Sequence, residues 1–149
     1  MALKKLVALG SALTLALPAC GWTALRTVKP EKAVMAAARA GPEGFGGVFK
    51  MTVAAVGHQD GKVFLNSQSD YRDPRNLTIA MTEATAEAVK RKAGLSEASG
   101  LIGRKVYVRG SARTVRVNFI VDGRPTGKYY YQTHVAVSDP VQIAVKDHL

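Results

Sequence analysis

The chain has 149 residues, and its 21 lysines and arginines against 11 aspartates and glutamates give a formal net charge of +10 at pH 7. This length suits one domain with a substantial core, and the single cysteine excludes an intramolecular disulfide. The basic excess favours an anionic partner or surface, such as nucleic acid, phospholipid head groups or cell-envelope polyanions, although a charge that only maintains solubility is an open alternative.

Residues 1–19 predict a secretory signal peptide. Lys4 and Lys5 precede an uncharged apolar run of 13 residues, 6–18, and small residues follow it. A positive head, a short apolar run and small residues together form the pattern of an export signal. The run is too short to span a bilayer core of ~30 Å as a helix, which needs ~20 residues. We therefore expect an exported protein.

The single cysteine, Cys20, stands at the end of this run. The segment Leu17-Pro18-Ala19-Cys20 resembles the processing site of bacterial lipoproteins, in which the cysteine is lipidated and becomes the new N-terminus. This resemblance implies a lipid anchor on Cys20 and a place in the bacterial cell envelope, facing the periplasm. Gly21, where an aspartate would retain a lipoprotein at the inner membrane, implies the outer membrane. The alternative is ordinary signal cleavage, which would discard the cysteine and leave a soluble periplasmic or secreted protein.

Residues 20–46 are predicted to form a lipidated tether that contains a short helix. Pro30 suits the first position of this helix, and Gly41 suits the residue at which it stops. A glycine-rich break follows the helix. The folded domain is therefore expected over residues 47–149.

The first half of this domain predicts strands. β-Branched and apolar residues favour strands at 48–56 and 62–66, and Asp60-Gly61 between them is a strong hairpin signal. A polar loop that ends in Asp73-Pro74 leads to a third strand at 76–81. The domain is thus expected to begin with a hairpin and a third strand.

A helix then interrupts the strands. Thr82 is a suitable cap for a helix over residues 82–93, and Gly94 is a suitable stop. After a connecting segment the pattern returns to strands, at 105–109, 113–121, 128–137 and 141–145, with a turn at 122–127.

This order of strands around one helix is that of an OB-fold. Short stretches in the same order also resemble small exported bacterial proteins with a thermonuclease-like OB-fold domain, namely residues 60–66, 70–72, 102–110 and 138–143. The resemblance spans residues 47–145 and implies a mainly β fold, a five-stranded Greek-key barrel with one helix between strands 3 and 4. The segment 113–134 is longer than the family's usual connection and predicts an extended hairpin between strands 4 and 5.

The resemblance does not carry nuclease chemistry. Active thermonucleases have an Asp-x-Pro-Glu-type motif, and residues 70–75, which read DYRDPR, lack the following glutamate. Asp70 and Asp73 are therefore expected to shape a loop rather than to hold a metal ion. The three histidines show no zinc-site spacing. We predict a non-catalytic domain without cofactor or metal, with a metal-dependent nuclease as the less favoured alternative.

One basic and aromatic cluster is the candidate binding site. Cations that follow a phosphate backbone and rings on which bases stack are the means by which OB-folds hold single strands. The candidate residues are Lys105, Tyr107, Arg109, Arg113, Arg116, Arg124, Lys128 and Tyr130. An oligonucleotide or another polyanion is the predicted ligand. The alternatives are an envelope protein that docks on the 113–134 hairpin and a solvated face that shields a strand edge.

Overall fold

The structure of the protein, a computed structural model, describes residues 26–146. The predicted signal peptide and the predicted lipidation of Cys20 lie outside these residues. Neither helix of the described chain is long and apolar enough to cross a membrane.

Strands dominate the described residues, which confirms the prediction of a mainly β fold. In chain order the elements are β1 (Thr27–Val28), α1 (Pro30–Ala40), β2 (Phe45–Thr52), β3 (Ala55–Gln59), β4 (Lys62–Asn66), β5 (Leu77–Thr82), α2 (Glu83–Lys92), β6 (Lys105–Val121), β7 (Arg124–Val137) and β8 (Ile143–Lys146). Three short 3₁₀ turns connect them, at Gly41–Glu43, Ala98–Leu101 and Pro140–Gln142.

The sheet follows the order β1-β2-β6-β7-β5-β4-β3, and β8 pairs with β6. β2 and β3 lie far apart in this order, yet only Val53 and Ala54 separate them in the chain. The Val53 N–H donates to the Arg104 carbonyl over 3.0 Å, and the Ala54 N–H donates to the Asn66 carbonyl over 2.8 Å. This bend therefore joins the β6 side of the sheet to its β4 side and makes the sheet barrel-like.

The interior is filled by alternate residues of the strands. Because successive side chains of a strand point to opposite faces, one parity of each strand faces the core. Full burial of one such aliphatic side chain stabilises the fold by about 1.5–3 kcal/mol. The largest fully buried side chains include Phe49, Leu65, Leu77, Ile79, Val106, Val108, Val135 and Ile143.

Local signals placed several elements correctly. The Thr82 hydroxyl caps α2 by accepting a hydrogen bond from the Thr85 N–H over 3.2 Å. Asp60 and Gly61 have φ angles of 50° and 70°, the left-handed pair that a two-residue type I′ hairpin requires. The hairpin predicted at Asp60-Gly61 is thereby confirmed, and the helix predicted over residues 82–93 is present as α2.

The prediction of five strands is wrong, since the described residues form eight. The predicted strand at 48–56 bends at Val53 and is divided into β2 and β3, while β1 and β8 are short additions to the edges of the sheet. The predicted strands at 105–109 and 113–121 form one continuous strand, β6. Gly110 lies within this strand and does not interrupt it. A Cβ at this position would lie 2.8 Å from Val135 Cγ1, so only glycine allows this approach of β7.

The helix predicted in the tether exists, but it belongs to the packed fold. Ala33 and Ala37 are 0% and 1% exposed within the hydrophobic core. Residues four apart lie on the same face of a helix, and two alanines allow α1 to approach the sheet closely. The packed unit therefore begins before residue 47, where the sequence placed the start of the domain.

The predicted hairpin between the last long strands is confirmed and projects from the sheet. Beyond the pair Ala112–Val135, β6 pairs only with β7, and β5 joins β7 only from Thr133 onward. Residues 113–132 thus form a two-stranded ribbon with two unpaired edges, which we call the ribbon. Its turn is tighter than the predicted 122–127, because Val121 already pairs with Arg124. Asp122 and Gly123 alone make the turn, with left-handed φ angles of 49° and 73°.

Candidate ligand groove on the outer face of the sheet

A groove of about 430 Å³ lies on the outer face of the sheet, beside the ribbon. Val63 and Leu65 of β4 point into the core, so Phe64 and Asn66 point outward into this groove. Thr78 of β5 lies opposite Asn66, and the neighbouring strands continue the same row. The outer face of β4, β5 and β7 therefore forms the floor of the groove.

Aromatic rings form the walls of the groove, and each ring comes from a different part of the chain. Phe64 belongs to β4, Tyr130 to the ribbon and Tyr71 to the loop after β4. The Phe64 ring lies 6.1 Å from the His134 ring, and the Phe119 ring supports Tyr130 at 5.2 Å. Tyr71 is half exposed and is accessible to a ligand in the groove.

A chain of hydrogen bonds connects these walls. His134 Nε2 lies 2.6 Å from Gln132 Oε1, and Gln132 Nε2 donates to the Tyr130 hydroxyl over 3.0 Å. Burial, aided by the nearby Lys62 cation, lowers the pKa of His134 to about 4. The imidazole is therefore neutral at pH 7 and donates from Nε2 to the amide oxygen. Burial also raises the pKa of the Tyr130 phenol. The centre of the groove is consequently polar but uncharged.

A buried asparagine pair fixes the loop that carries Tyr71. Asn66 Oδ1 accepts hydrogen bonds from Thr78 Oγ1 over 2.8 Å and from Asn76 Nδ2 over 3.0 Å. Asn76 Nδ2 also donates to the Tyr71 carbonyl over 3.3 Å, and Asn76 Oδ1 accepts from the Gln68 N–H over 3.1 Å. Because these polar groups are satisfied inside the protein, they hold the loop in one place beside the groove.

The sequence predictions included only Tyr130 among the residues that line the groove. Arg113 lies opposite His134 on the same outer face but does not line the groove, and its side chain packs against Gly44. The sequence reasoning missed Phe64, Asn66 and Gln132. Their alternation with buried neighbours marked them as outward-facing, but nothing local indicated which strands would lie side by side.

The other candidate residues do not form one surface with the groove. Lys105, Tyr107 and Arg109 lie at the far end of β6, and Tyr107 is ten residues from Val117, about 33 Å along an extended strand. The remaining candidates lie on the ribbon. Arg116 is on its opposite face, where its guanidinium lies 4.0 Å from the Tyr129 ring centre. Arg124 and Lys128 lie near the exposed turn of the ribbon.

Asp70 and Asp73 shape their loop, as the sequence indicates. Asp70 Oδ1 accepts a hydrogen bond from the Arg72 N–H over 2.9 Å, and Asp73 Oδ1 accepts from the Arg75 N–H over 2.8 Å. Hydrogen bonds from Arg75 lower the pKa of Asp73 to about 2. Across residues 26–146, no three histidine, cysteine, aspartate or glutamate side chains come together in a way that could hold a metal ion.

No protein-family model and no curated protein matches the chain. Among solved structures, a putative aspartyl-tRNA synthetase from Leishmania major Friedlin is 11% identical with a TM-score of 0.46, and the match covers 87% of this chain and 22% of that one. The aspartyl tRNA synthetase from Entamoeba histolytica is 17% identical with a TM-score of 0.46, covering 95% and 26%. The chain thus spans about a quarter of each enzyme. At these scores the likeness carries no argument about this protein.

Proposed function

We propose that the protein is a non-catalytic binding module of the OB-fold type that holds a single-stranded oligonucleotide in the groove. The strand order supports this fold if β2 and β3 count as one bent first strand. β4 and β5 are then strands 2 and 3, α2 precedes strand 4, and β6 and β7 are strands 4 and 5. OB-folds bind ligands on the face of strands 2 and 3, between the loops that follow strands 1 and 4.

The observation that carries the proposal is the groove itself, which lies at that position. The β3–β4 turn supplies one rim and the ribbon supplies the other. Phe64, Tyr71 and Tyr130 offer faces on which bases stack, and such stacking contributes about 1–3 kcal/mol per base. Lys62 lines the groove, and Arg113 lies on the next strand, opposite His134, so both can neutralise phosphates of the same strand. The uncharged amide and imidazole between them suit the polar edges of bases.

The first test compares two neighbouring tyrosines that point to opposite faces of the ribbon. The full chain is titrated with a fluorescent single-stranded oligonucleotide at low and physiological salt, and with heparin as a polyanion without bases. We expect Tyr130→Ala to weaken oligonucleotide binding about 5- to 150-fold, since it removes one stacking platform. Tyr131→Ala is the matched control and should leave the affinity unchanged.

Two results would contradict this function. One is equal affinity for heparin and the oligonucleotide with loss of both at physiological salt, because binding would then be general electrostatics. The other is an equal effect of the two tyrosine substitutions. Added Ca²⁺ should leave the oligonucleotide intact, and cleavage that disappears in Asp70→Ala would instead support a nuclease.

The ribbon favours a second candidate function, the docking of an envelope protein. Several large apolar side chains of the described chain are exposed on it, and the ribbon has two unpaired strand edges. These side chains are Phe119, Ile120, Val121, Tyr129 and Tyr131. Exposed apolar patches and free edges are typical of protein-binding sites. This function predicts the reverse of the first test: Tyr131→Ala would abolish binding of a purified partner and Tyr130→Ala would not.

We also propose that the protein is exported and anchored to the bacterial cell envelope through a lipid on Cys20. The support is the sequence pattern of residues 1–20 alone. Mass spectrometry of the protein from membranes should find the lipid on Cys20, and Cys20→Ser should move the protein to the soluble fraction. Cleavage beyond Cys20 in the natural protein would establish a soluble exported form instead.

A further inference from the structure

A second concavity, of about 250 Å³, lies away from the groove. It is bounded by the start of α1, the end of β2, the start of β6 and the loop after β4. Three lysines from three separate parts of the chain line it, namely Lys29, Lys50 and Lys105, and we call it the lysine pocket.

The strand register brings the positive charges close together. Lys105 lies opposite Thr52 on β2, and Lys50 is two residues from Thr52 on the same outward parity. Lys50 and Lys105 are therefore diagonal neighbours, with their Cα atoms about 7–8 Å apart. On the other side of β6, Lys105 lies directly opposite Lys146 of β8. Like charges at directly opposite positions of an antiparallel pair destabilise the sheet.

The described residues do not neutralise this cluster. None of the four lysines is within ion-pair distance of a carboxylate in residues 26–146. Lys50 Nζ lies 5.7 Å from the centre of the Tyr107 ring, which is uncharged. Glu31 is the one acid that lines the pocket, and it makes no ion pair with the lysines.

We propose that the lysine pocket binds a compact, multiply charged anion of the phosphate class, such as a phosphate monoester or a diphosphate group. Three lysines that line a small cavity match the charge and size of such a group better than those of an extended chain. The Thr52 hydroxyl and the Gln68 amide line the same cavity and add uncharged donors. The anion removes the mutual repulsion of the lysines. The site is separate from the groove and independent of oligonucleotide binding.

The probe is sodium pyrophosphate, compared with sodium chloride at equal ionic strength, and the readout is thermal unfolding of the full chain by circular dichroism. We expect pyrophosphate at about tenfold excess over its Kd to raise Tm by about 5 °C. The double variant Lys50→Gln/Lys105→Gln should lose this rise. Without pyrophosphate at low salt, the same variant should melt at a higher temperature than the natural chain, because the repulsion is gone.

The control removes two charges elsewhere, at the end of α2, with Arg91→Gln/Lys92→Gln. This control variant should still show the rise in Tm caused by pyrophosphate, whatever its Tm without pyrophosphate. In ¹H–¹⁵N spectra, pyrophosphate should shift the amides of Gln68 and Lys105 and leave those of Tyr130 and Gln132 unchanged. The proposal is overturned if chloride gives the same rise, if the lysine double variant keeps the rise, or if the shifts fall in the groove.

Vesicles distinguish a soluble phosphate compound from a lipid head group. Phosphatidylcholine vesicles with and without phosphatidic acid are sedimented with the natural chain and with the lysine double variant. Loss of the phosphatidic acid-dependent fraction in the variant identifies a lipid phosphate as ligand. An unchanged fraction, together with a lost pyrophosphate rise, identifies a soluble one.

Discussion

His134 is the partly buried histidine of the described chain, and its ionisation is coupled to folding. It lies on the outer face of β7, in contact with the Phe64 ring and bonded to Gln132. Burial first, and the Lys62 cation second, lower its pKa to about 4 from 6.5. Between these two pKa values, His134 is therefore protonated in the unfolded chain and neutral in the folded chain.

From this difference we predict that stability falls in acid. The contribution of His134 is fully present above its unfolded pKa of 6.5 and is lost as the pH falls toward about 4. Between pH 7.5 and pH 4.5 the free energy of unfolding should drop by roughly 2.5 kcal/mol from this residue. Urea unfolding at the two pH values measures the drop, and His134→Gln should remove it.

Asp73 provides an internal check on the pH range. Its pKa of about 2 places its titration below the window in which His134 acts. An Asp73→Asn variant should therefore keep the drop between pH 7.5 and pH 4.5. A drop of the same size in His134→Gln would show that another group carries the acid sensitivity.

The sequence identified single residues of the site only where a local pattern sufficed. Alternation placed Tyr130 outward, and the structure places it in the groove. Asn76 looked like the first residue of a strand, yet it is buried and bonds to Asn66, Thr78 and Tyr71. No short-range signal indicates such a role, because the partners meet only after β4 and β5 have paired.

At the scale of elements, α1 shows what a helix contributes when it packs rather than links. We predict that Ala37→Asp lowers the free energy of unfolding by about 3–5 kcal/mol, because it places an unpaired carboxylate in the core. Ala38→Asp is the matched control, since Ala38 is exposed on the same helix and should tolerate the change. Equal, small effects of the two substitutions in urea unfolding would contradict the packing of α1 in the core and support its role as a tether.

Elements with their own start and stop signals were predicted well. Thr82 and Gly94 bounded α2, and Asp60-Gly61 fixed the first hairpin. The errors arose where a distant partner decides the outcome. Gly110 looked like a break in a strand, but it gives Val135, 25 residues away, the space to approach. The alanines of α1 formed an apolar stripe without any indication of the sheet that covers it.

At the scale of the whole molecule, the net charge of +10 allows two interpretations. A ligand could contact all the candidate cations, or it could contact only the few cations near the groove. The six candidate cations extend along both faces of the ribbon and to the far end of β6, so one short ligand cannot reach them all. A strand bound in the groove, as proposed, would meet chiefly Lys62, which lines it, and Arg113, which lies opposite His134. The number of phosphates neutralised therefore reports where the ligand lies.

Salt dependence of oligonucleotide binding measures that number. For two phosphate contacts on a single strand we predict a slope of log K against log salt of about −1.4. Contact with all six candidate cations would give a slope of about −4. A slope near the larger magnitude would show that the ligand binds the basic strands and not the groove. In that case Lys62→Gln should leave the slope unchanged.

The opposite orientation of Tyr130 and Tyr131 limits how this protein can change in evolution. In an antiparallel ribbon, a shift of one residue in register moves every side chain to the other face. A single insertion or deletion between residues 128 and 132 would exchange the two tyrosines and give the groove a different wall. The bulge between Asn118 and Ile120 is where the register already shifts. Among descendants of this chain, insertions and deletions should therefore be tolerated between the bulge and the turn at Asp122. They should be excluded between residues 128 and 132.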